Sequence, residues 1–538
     1  MRRNVKALAL GAVVLAMASL GVVAASSSDN APRGAADPRP AGEDWPSWQR
    51  DQAGTRYNGA ESEITPRTVG NLKLKWAYTF AAVPYSRVGS QPAVVDGVLY
   101  TGAPDAEFVA LDAKTGATKW TFDLTTVTGG GEQFAVNGVR DGAAVSGGKV
   151  YFGDSTGRVY ALHRGTGRLA WVAHVDKHPL ANLTSSPVVH DGKVYLGVST
   201  SEGGATRDPS YPCCTHRGSV VRLDARTGAI DWQFFTLPPA KKVGTWPSGA
   251  AKHVPAGASV WATPVIDPRT RTLFVGTGND ATGQSGFSDT MLALDIETGR
   301  LRWKQQVTHP DTYTAACELT EVPNETCPGK GTYAKDKDIG AAATLVRTGG
   351  RTLVVVGQKD GRLHAFDART GEIAWQTVLA PETVDAVGVQ WGTAYDGRYL
   401  YAATWHATPS RLFAVDPATG RIVWRADHPA DGCTTGGAAE FPDMCELAFT
   451  PAVSATPGLL YEGSTDGKFR IFSARDGEPL FEFDAVRDFA GVNGVPGRGS
   501  AISGNGGAVI ADGMVYVMAG YYPFYPTDKG SVLLAFGL

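Results

Sequence analysis

The stretch LDARTGAIDW, residues 223–232, is one copy of a phrase that recurs along the chain and decides the fold. Each copy joins a short apolar run to an x-T-G step and a Trp four residues after the Gly. The T-G step predicts a tight turn, because Gly adopts positive φ readily. The other copies are LDAKTGATKW (111–120), LHRGTGRLAW (162–171), LDIETGRLRW (294–303), FDARTGEIAW (366–375), VDPATGRIVW (415–424) and a degenerate FSARDGEPLFEF (472–483).

A second β-rich run precedes each phrase, for example KVYFG (149–153), KVYLG (193–197) and TLFVG (272–276). Each repeat therefore holds about four short strands. Four-stranded units of this kind form a β-propeller when they are arranged in a ring. The Trp that ends each phrase is then expected to pack between neighbouring sheets.

The number of blades follows from the fragments at the two ends of the repeat region. LKLKWAYTF (72–80) precedes the seven phrases, whereas VYVMAGYY (515–522) and GSVLLAFGL (530–538) follow them. We expect each end to supply half of an eighth blade. The predicted fold is all-β: an eight-bladed propeller of four-stranded antiparallel blades, with the ring closed by the N- and C-terminal strands. Closure removes exposed edge strands; a solenoid, the alternative, would need capping repeats.

The N-terminus has the pattern of a secretory signal. Arg2, Arg3 and Lys6 precede a run of apolar and small residues that ends near Ala25. We expect a signal peptide over 1–25, a disordered leader over 26–44 and the propeller over 45–538. The chain would be secreted or periplasmic, without an integral membrane segment after cleavage. An uncleaved membrane anchor is the alternative, since the run has about the length that spans a bilayer.

Charge and cysteine content narrow the function classes. The net charge is −3, so the basic excess typical of nucleic-acid binding is missing. Six cysteines in an exported chain favour disulfides, with Cys317–Cys327 and Cys433–Cys445 as local pairs. Cys213 and Cys214 form either a vicinal disulfide, two free thiols or a loop staple. The sequence has no CxxCH motif for attaching a c-type haem.

The opening segment DWPSWQRDQAGTRYNGAESEITPRTVGNLKLKWAY (44–78) resembles that of pyrroloquinoline quinone (PQQ) dehydrogenases, and the resemblance extends over 44–538. Within that family the chain looks most like the polyvinyl-alcohol dehydrogenases. The segments that carry this likeness are PCCTHRGSVVRLDA (212–225), DKDIGAAATLV (336–346), GQKDGRLHAFD (357–367) and NGVPGRGSAISG (493–504). The resemblance implies a quinoprotein alcohol dehydrogenase that uses PQQ and Ca²⁺.

The resemblance also implies site residues, each of which could by itself be an ordinary turn or core residue; the prediction depends on their conjunction. Calcium prefers hard oxygen ligands, and the matching positions are Glu202, Asn279 and Asp311. Asp311 would also act as the catalytic base, and Lys359 would lie beside the quinone oxygens. The remaining cofactor positions are Arg140 for a PQQ carboxylate, Thr184 and Ser199 as hydroxyl contacts, Trp261 as the stacking ring, and Gln390 and Trp391 over the cofactor.

The chain departs from the family pattern at two places. In PQQ alcohol dehydrogenases a vicinal disulfide stacks on the cofactor and precedes the carboxylate-clamping Arg. Here Cys213 and Cys214, which the resemblance also implies as cofactor-binding residues, follow Glu202 instead. Gln390-Trp391 stands where the family often has Asn-Trp, so an amide and an indole are retained.

The implied reaction is alcohol oxidation. Ca²⁺ acts as a Lewis acid on the quinone, Asp311 takes the alcohol proton, and a hydride passes to PQQ. Without its own haem, the enzyme would pass electrons to a separate acceptor such as a cytochrome c. One alternative is a non-catalytic scaffold or binding protein, like the outer-membrane assembly propellers that share these repeats. Another is a sugar-oxidising quinoprotein.

Overall fold

The computed structural model describes residues 42–83, 90–130, 138–282, 286–309, 313–318, 327, 336–380, 388–405, 409–502, 504, 506–520 and 529–538. The expected signal peptide (1–25) and most of the leader (26–44) lie outside these residues. Eight antiparallel sheets follow one another along the chain; seven have four strands, and the third adds the short strand Ala181–Asn182 to its four. The innermost strands of neighbouring sheets are in contact, as in a propeller. The predicted fold is confirmed.

The first five blades follow the order of the chain after strand β1 (Lys73–Thr79). Blade one contains β2 (Ala93–Val95), β3 (Val98–Gly102), β4 (Glu107–Asp112) and β5 (Thr118–Asp123), and blade two contains β6 (Ala144–Ser146), β7 (Lys149–Gly153), β8 (Arg158–His163) and β9 (Leu169–His174). Blade three contains β10 (Ala181–Asn182), β11 (Val188–His190), β12 (Lys193–Thr200), β13 (Ser219–Asp224) and β14 (Ile230–Phe235), and the hairpin β15 (Lys241–Thr245) and β16 (Ala251–Val254) follows it. Blade four contains β17 (Val265–Asp267), β18 (Thr272–Gly276), β19 (Thr290–Asp295) and β20 (Leu301–Gln306), and blade five contains β21 (Thr344–Thr348), β22 (Arg351–Gly357), β23 (Arg362–Asp367) and β24 (Ile373–Val378).

The last three blades complete the ring. Their strands are β25 (Ala394–Tyr395), β26 (Leu400–Ala403), β27 (Arg411–Val415) and β28 (Ile422–Asp427); β29 (Ser454–Thr456), β30 (Leu459–Gly463), β31 (Lys468–Ser473) and β32 (Pro479–Asp484); and, after the hairpin β33 (Asp488–Ala490) and β34 (Pro496–Arg498), β35 (Val509–Ala511), β36 (Met514–Ala519) and β37 (Val532–Gly537). The helical elements of the described residues are short: α1 (Thr125–Thr128), α2 (Glu202–Ala205) and the 3-10 turns Val69–Asn71, Ala315–Glu318 and Gly436–Glu440.

The eighth blade joins the two ends of the chain, but not as two equal halves. β1 pairs with β37 as the outermost strand, and β36 and β35 follow inward. The C-terminal region thus supplies three strands and the N-terminal region one. The expected division was wrong because Val509–Ala511, only three residues long, is too short to stand out as a strand in the sequence.

The Trp residues of the repeats connect each blade to the next. Each indole Nε1 donates to a carbonyl in the corresponding turn of the following blade, over 2.9–3.2 Å. The Gly of that turn lies against the indole: Gly228 has φ +74°, and a Cβ there would lie 2.7 Å from Trp171 Cδ2. The degenerate repeat has Phe483 instead, which packs edge-on against Phe536, 4.8 Å away. The repeated phrase therefore encodes the junctions between blades.

Residues 45–58, which we call the axial segment, run along the innermost strands of the ring. Arg56 is fully buried and lies over the Trp48 ring at 4.6 Å. Because the inner strands have an unpaired edge, this segment satisfies hydrogen-bonding groups that would otherwise be buried without partners. It bonds to the first strand of every blade, at Val94, Val145, Val189, Ile266, Leu345, Tyr395, Ala455 and Ile510.

Candidate active site

The predicted site residues leave the strands at one end of the ring. Glu202, Asn279 and Lys359 follow the second strands β12, β18 and β22 of three successive blades. Thr184 and Trp261 precede the first strands β11 and β17. Since the first and second strands of a blade are antiparallel neighbours, the end of one and the start of the other lie at the same end of the propeller.

Trp261 lies at the centre of the cluster. Its Nε1 donates to Asp338 Oδ2 over 3.0 Å, and its carbonyl accepts from Thr184 Oγ1 at 3.4 Å. Trp391 meets the ring edge-on, with 5.3 Å between centroids. A Cβ at Gly340 would lie 2.0 Å from Trp261 Cη2, so the indole can occupy this position only beside glycine. The indole is thus fixed on several sides.

Lys359 joins two carboxylates that the sequence analysis did not single out. Its Nζ donates to Asp336 Oδ2 at 2.6 Å and to Asp338 Oδ2 at 3.0 Å, and lies 5.1 Å from the Trp261 ring centroid. Burial would lower the pKa of Lys359, but the two carboxylates outweigh it and raise this pKa. Burial and the charge of Asp338 raise the pKa of Asp336 to about 6, against the opposing effect of Lys359.

Asn279 lies on the other side of Asp336. Its Nδ2 donates to Asp336 Oδ1 at 3.3 Å, which leaves Oδ1 of the amide without a partner among the described residues. Asp338 Oδ1 is likewise buried and unpartnered in the described part of the chain. Gly278 packs closely against this carboxylate, since a Cβ there would lie 2.7 Å from Asp338 Oδ1.

Glu202 begins helix α2 and is buried. Its Oε1 accepts hydrogen bonds from the Tyr211 hydroxyl (2.9 Å) and the Thr215 backbone N–H (2.8 Å), and its Oε2 accepts one from the His216 backbone N–H (2.8 Å). His178 Nε2 lies 3.6 Å from Oε1. The carboxylate is therefore held by donors while Oε2 retains acceptor capacity.

Short backbone contacts connect the Glu202 and Asn279 regions. The carbonyl of His216 accepts from the Gly257 N–H at 2.9 Å, and the carbonyl of Asn279 accepts from the Ala258 N–H at 2.6 Å. Ser199, at the end of β12, is 3.3 Å from the Thr184 hydroxyl and donates to the Asn182 carbonyl at 2.6 Å. The second strands of blades three and four thus bring Glu202 and Asn279 to adjoining loops.

The side chains of this cluster fit the cation and the cofactor that the resemblance implies. Calcium takes carboxylate and amide oxygens, and Glu202 Oε2 and the unpartnered Asn279 Oδ1 are of that kind. Gln390 Oε1 and Trp391 Nε1 are also buried without partners among the described residues. Within the same part of the chain, no group of three or more His, Cys, Asp or Glu side chains is arranged to hold a metal. A calcium site here would therefore include the amide of Asn279.

The other predicted residues are only partly located. Asp311 lies outside the described residues, and its assignment as base and ligand stays a prediction. Arg140 is half-buried before β6, the position in blade two that corresponds to Trp261 in blade four. The pair Asp336 and Asp338 was missed as functional, although it lies in the loop that leads to the first strand β21, as Thr184 and Trp261 lie in the loops that lead to β11 and β17.

The disulfides Cys317–Cys327 and Cys433–Cys445 are present as predicted, and Cys213–Cys214 forms the vicinal disulfide, one of the three alternatives that the sequence left open. Each lies in a loop at the end of the ring that carries the candidate site. Ala316, beside Cys317, donates its backbone N–H to Thr206 Oγ1 at 2.9 Å, next to helix α2. Whether Cys213–Cys214 stacks on a cofactor stays a prediction.

Comparisons with known proteins agree with this geometry. Residues 45–317 match a family model described as the β-propeller domain of glucose, ethanol and alcohol dehydrogenases that use PQQ. Residues 359–522 match a model described as outer membrane protein assembly factor BamB. Glu202, Asn279 and Trp261 lie within the first match. No helix in the described residues is long and apolar enough to cross a membrane.

Individual proteins similar to this chain are also alcohol dehydrogenases. The chain is 32% identical to a polyvinylalcohol dehydrogenase from Pseudomonas sp, covering 92% of this chain and 77% of that protein. It is 30% identical to a polyvinylalcohol dehydrogenase from Sphingopyxis sp. (strain 113P3), covering 91% and 75%. The structure of a quinohemoprotein alcohol dehydrogenase from Pseudomonas putida HK5 shares the fold, with TM-score 0.67, 21% identity, and coverage of 92% and 80%. This chain belongs to the PQQ-dependent alcohol dehydrogenase family.

Proposed function

We propose that this chain is an exported, Ca²⁺-dependent quinoprotein that oxidises secondary alcohols, including those of polyvinyl alcohol, and passes the electrons to a separate acceptor such as a cytochrome c. The observation that carries the proposal is the cluster in which Lys359, Asp336 and Asp338 meet beside Trp261 and Asn279. The choice of polyvinyl alcohol rests on the two relatives that bear that name.

Glu202 and Asn279 would hold the calcium ion, with Asp336 beside them. The Asn279 amide is oriented by its hydrogen bond to Asp336, so that its carbonyl oxygen stays available. Trp261 and Trp391 would form walls of the PQQ slot. When bound, PQQ accepts the two electrons of alcohol oxidation, and Ca²⁺ polarises it as a Lewis acid.

Asp338 is the described carboxylate best placed to receive the alcohol proton. A general base needs a free oxygen within hydrogen-bonding distance of the hydroxyl. Asp338 Oδ2 is occupied by Trp261 and Lys359, whereas Oδ1 has no partner among the described residues. Asp311, which the resemblance assigns to this role, is the competing candidate, and the two are separable by mutation.

Lys359 would stabilise the negative charge of Asp336 and Asp338 and that of the bound cofactor. Two of its three N–H groups donate to Asp336 and Asp338. The third is available for a cofactor oxygen, in keeping with the position beside the quinone that the resemblance implies. Because the raised pKa keeps Lys359 protonated at neutral pH, it balances one of the two nearby carboxylates.

Reconstitution tests the function. The purified chain is incubated with PQQ and Ca²⁺, and dye reduction is followed with a secondary alcohol, a diol, polyvinyl alcohol and glucose. We expect turnover with the alcohols only when both PQQ and Ca²⁺ are present. Turnover with glucose alone would favour the sugar-oxidising alternative. Failure to bind PQQ in the presence of Ca²⁺ would favour a scaffold or binding role.

A further inference from the structure

The donors around Glu202 come from one short loop, residues 211–216, which we call the Cys213–Cys214 loop. Tyr211 supplies its hydroxyl, and Thr215 and His216 supply backbone N–H groups, all over 2.8–2.9 Å. The Thr215 hydroxyl adds a longer contact of 3.3 Å to Oε1. The disulfide between Cys213 and Cys214 lies between the Tyr211 donor and the two backbone donors.

These hydrogen bonds are divided unequally between the two carboxylate oxygens. Oε1 accepts from the Tyr211 hydroxyl, the Thr215 N–H and the Thr215 hydroxyl, whereas among the described residues Oε2 accepts only from the His216 N–H. A carboxylate oxygen offers about two lone-pair sites. Oε1 is therefore fully used, and Oε2 keeps one site for a cation.

The loop is itself fixed from behind. The Cys213 carbonyl accepts from Trp246 Nε1 at 3.2 Å and from the His253 N–H at 3.1 Å, both in the β15–β16 hairpin region. The two cysteines are buried, with 1% exposure each, and pack with Ala256 and Ala281. Ala281 follows Asn279 by two residues. The loop thus contacts the segments of both candidate calcium ligands.

We propose that the Cys213–Cys214 loop is a positioning element that presents Glu202 to the cation through Oε2 alone. The disulfide sets the spacing between the Tyr211 hydroxyl and the N–H groups of Thr215 and His216. The proposal rests on the proposed function, since it takes Glu202 as a Ca²⁺ ligand. It assigns the vicinal disulfide a role through Glu202 that does not depend on contact with PQQ.

Calcium titration of the PQQ-loaded protein, followed by calorimetry, tests this role. Tyr211→Phe removes one donor and should weaken Ca²⁺ binding about three- to tenfold. The double variant Cys213→Ser/Cys214→Ser should weaken it more than tenfold. Two control variants should keep a Ca²⁺ affinity within twofold of the parent. Tyr151→Phe removes a hydroxyl that donates to the Ala225 carbonyl at 3.2 Å, and Cys433→Ser/Cys445→Ser opens another loop disulfide.

Thermal unfolding without Ca²⁺ distinguishes a positioning role of the Cys213–Cys214 loop from a role in stability alone. The midpoint of Tyr211→Phe should match the parent in metal-free protein, while the midpoint increase caused by Ca²⁺ should be smaller. If the double variant does not fold, Tyr211→Phe decides alone. Ca²⁺ affinity within twofold of the parent, or tighter, in Tyr211→Phe would overturn the positioning role. A parent protein that binds no Ca²⁺ would instead overturn the proposed function.

Discussion

Replacing Asp338 by Asn should abolish most turnover while leaving the site assembled. In the structure Asp338 Oδ2 accepts from Trp261 Nε1 and Lys359 Nζ, and the amide oxygen of Asn can accept the same two hydrogen bonds. The amide NH₂ group then falls at the position of Oδ1, where no partner occurs among the described residues. The variant therefore exchanges a free proton acceptor for a donor at nearly constant size.

The expected loss follows from the role of a general base. Such a group contributes about 10²–10⁴-fold to the rate, which corresponds to about 3–5 kcal/mol in the activation free energy. We expect kcat of Asp338→Asn to fall by this factor, with PQQ and Ca²⁺ affinities changed by less than about threefold. The measurement is dye reduction with a secondary alcohol by the reconstituted enzyme, with PQQ binding titrated in parallel.

Two companion variants make the result decisive. Asp311→Asn tests the competing base, and Asp336→Asn tests the carboxylate between Lys359 and Asn279. If Asp338→Asn keeps more than about a tenth of the parental kcat while Asp311→Asn loses activity, the base is Asp311 and the geometric argument is wrong. If all three variants lose PQQ binding together, the effect is structural and the assignment of Asp338 also fails.

Three further predictions concern stability. Gly228→Ala would bring a Cβ to 2.7 Å from Trp171, whereas Gly192→Ala, at a similar φ (+68°), would place its Cβ in open space. Gly228→Ala should therefore lower the free energy of unfolding by about 1–3 kcal/mol more than Gly192→Ala, and equal losses in urea denaturation would mean that the indole contact is unimportant. Arg56→Met should cost about 3–5 kcal/mol, because it removes a fully buried guanidinium that donates to the Val453 and Trp48 carbonyls and leaves both acceptors without that donor; a loss below about 1 kcal/mol in urea denaturation would mean that these hydrogen bonds are unimportant. Burial lowers the pKa of His364 to about 4, so between pH 6.5 and 4 the unfolded chain binds a proton that the folded protein does not. The free energy of unfolding should therefore fall by up to about 3 kcal/mol as the pH drops from 6.5 to 4, and a His364→Gln variant with the same pH dependence would refute this.

The architecture could be predicted because its information is local. Each phrase such as LDARTGAIDW contains the turn glycine and the indole that meets the next blade, so every repeat specifies both its own sheet and its junction. Counting these units gives eight blades. The sequence does not show how the closing blade is divided, because β35 has only three residues and its pairing with β36 depends on the completed ring.

The site was predictable only in part. Glu202, Asn279 and Lys359 follow easily recognised second strands, and strand ends of different blades meet near the axis of a propeller. Asp336 and Asp338 lie within the long connection from β20 to β21, in which several carboxylates are available. Which of them meets Lys359 depends on how that connection folds over the ring.

The amino-acid sequence by itself determined the ring, the repeated Trp contacts, the disulfides Cys317–Cys327 and Cys433–Cys445, and the oxygen-rich loops at one end. Only the tertiary structure decided that Lys359 joins Asp336 and Asp338, that the Cys213–Cys214 loop holds Glu202, and that the axial segment bonds to all eight inner strands. The physical reason is the range of the interactions. Turns and blade junctions act between residues close in sequence, whereas the site and the axial segment arise from contacts between distant residues, whose partners are fixed only once the ring has closed.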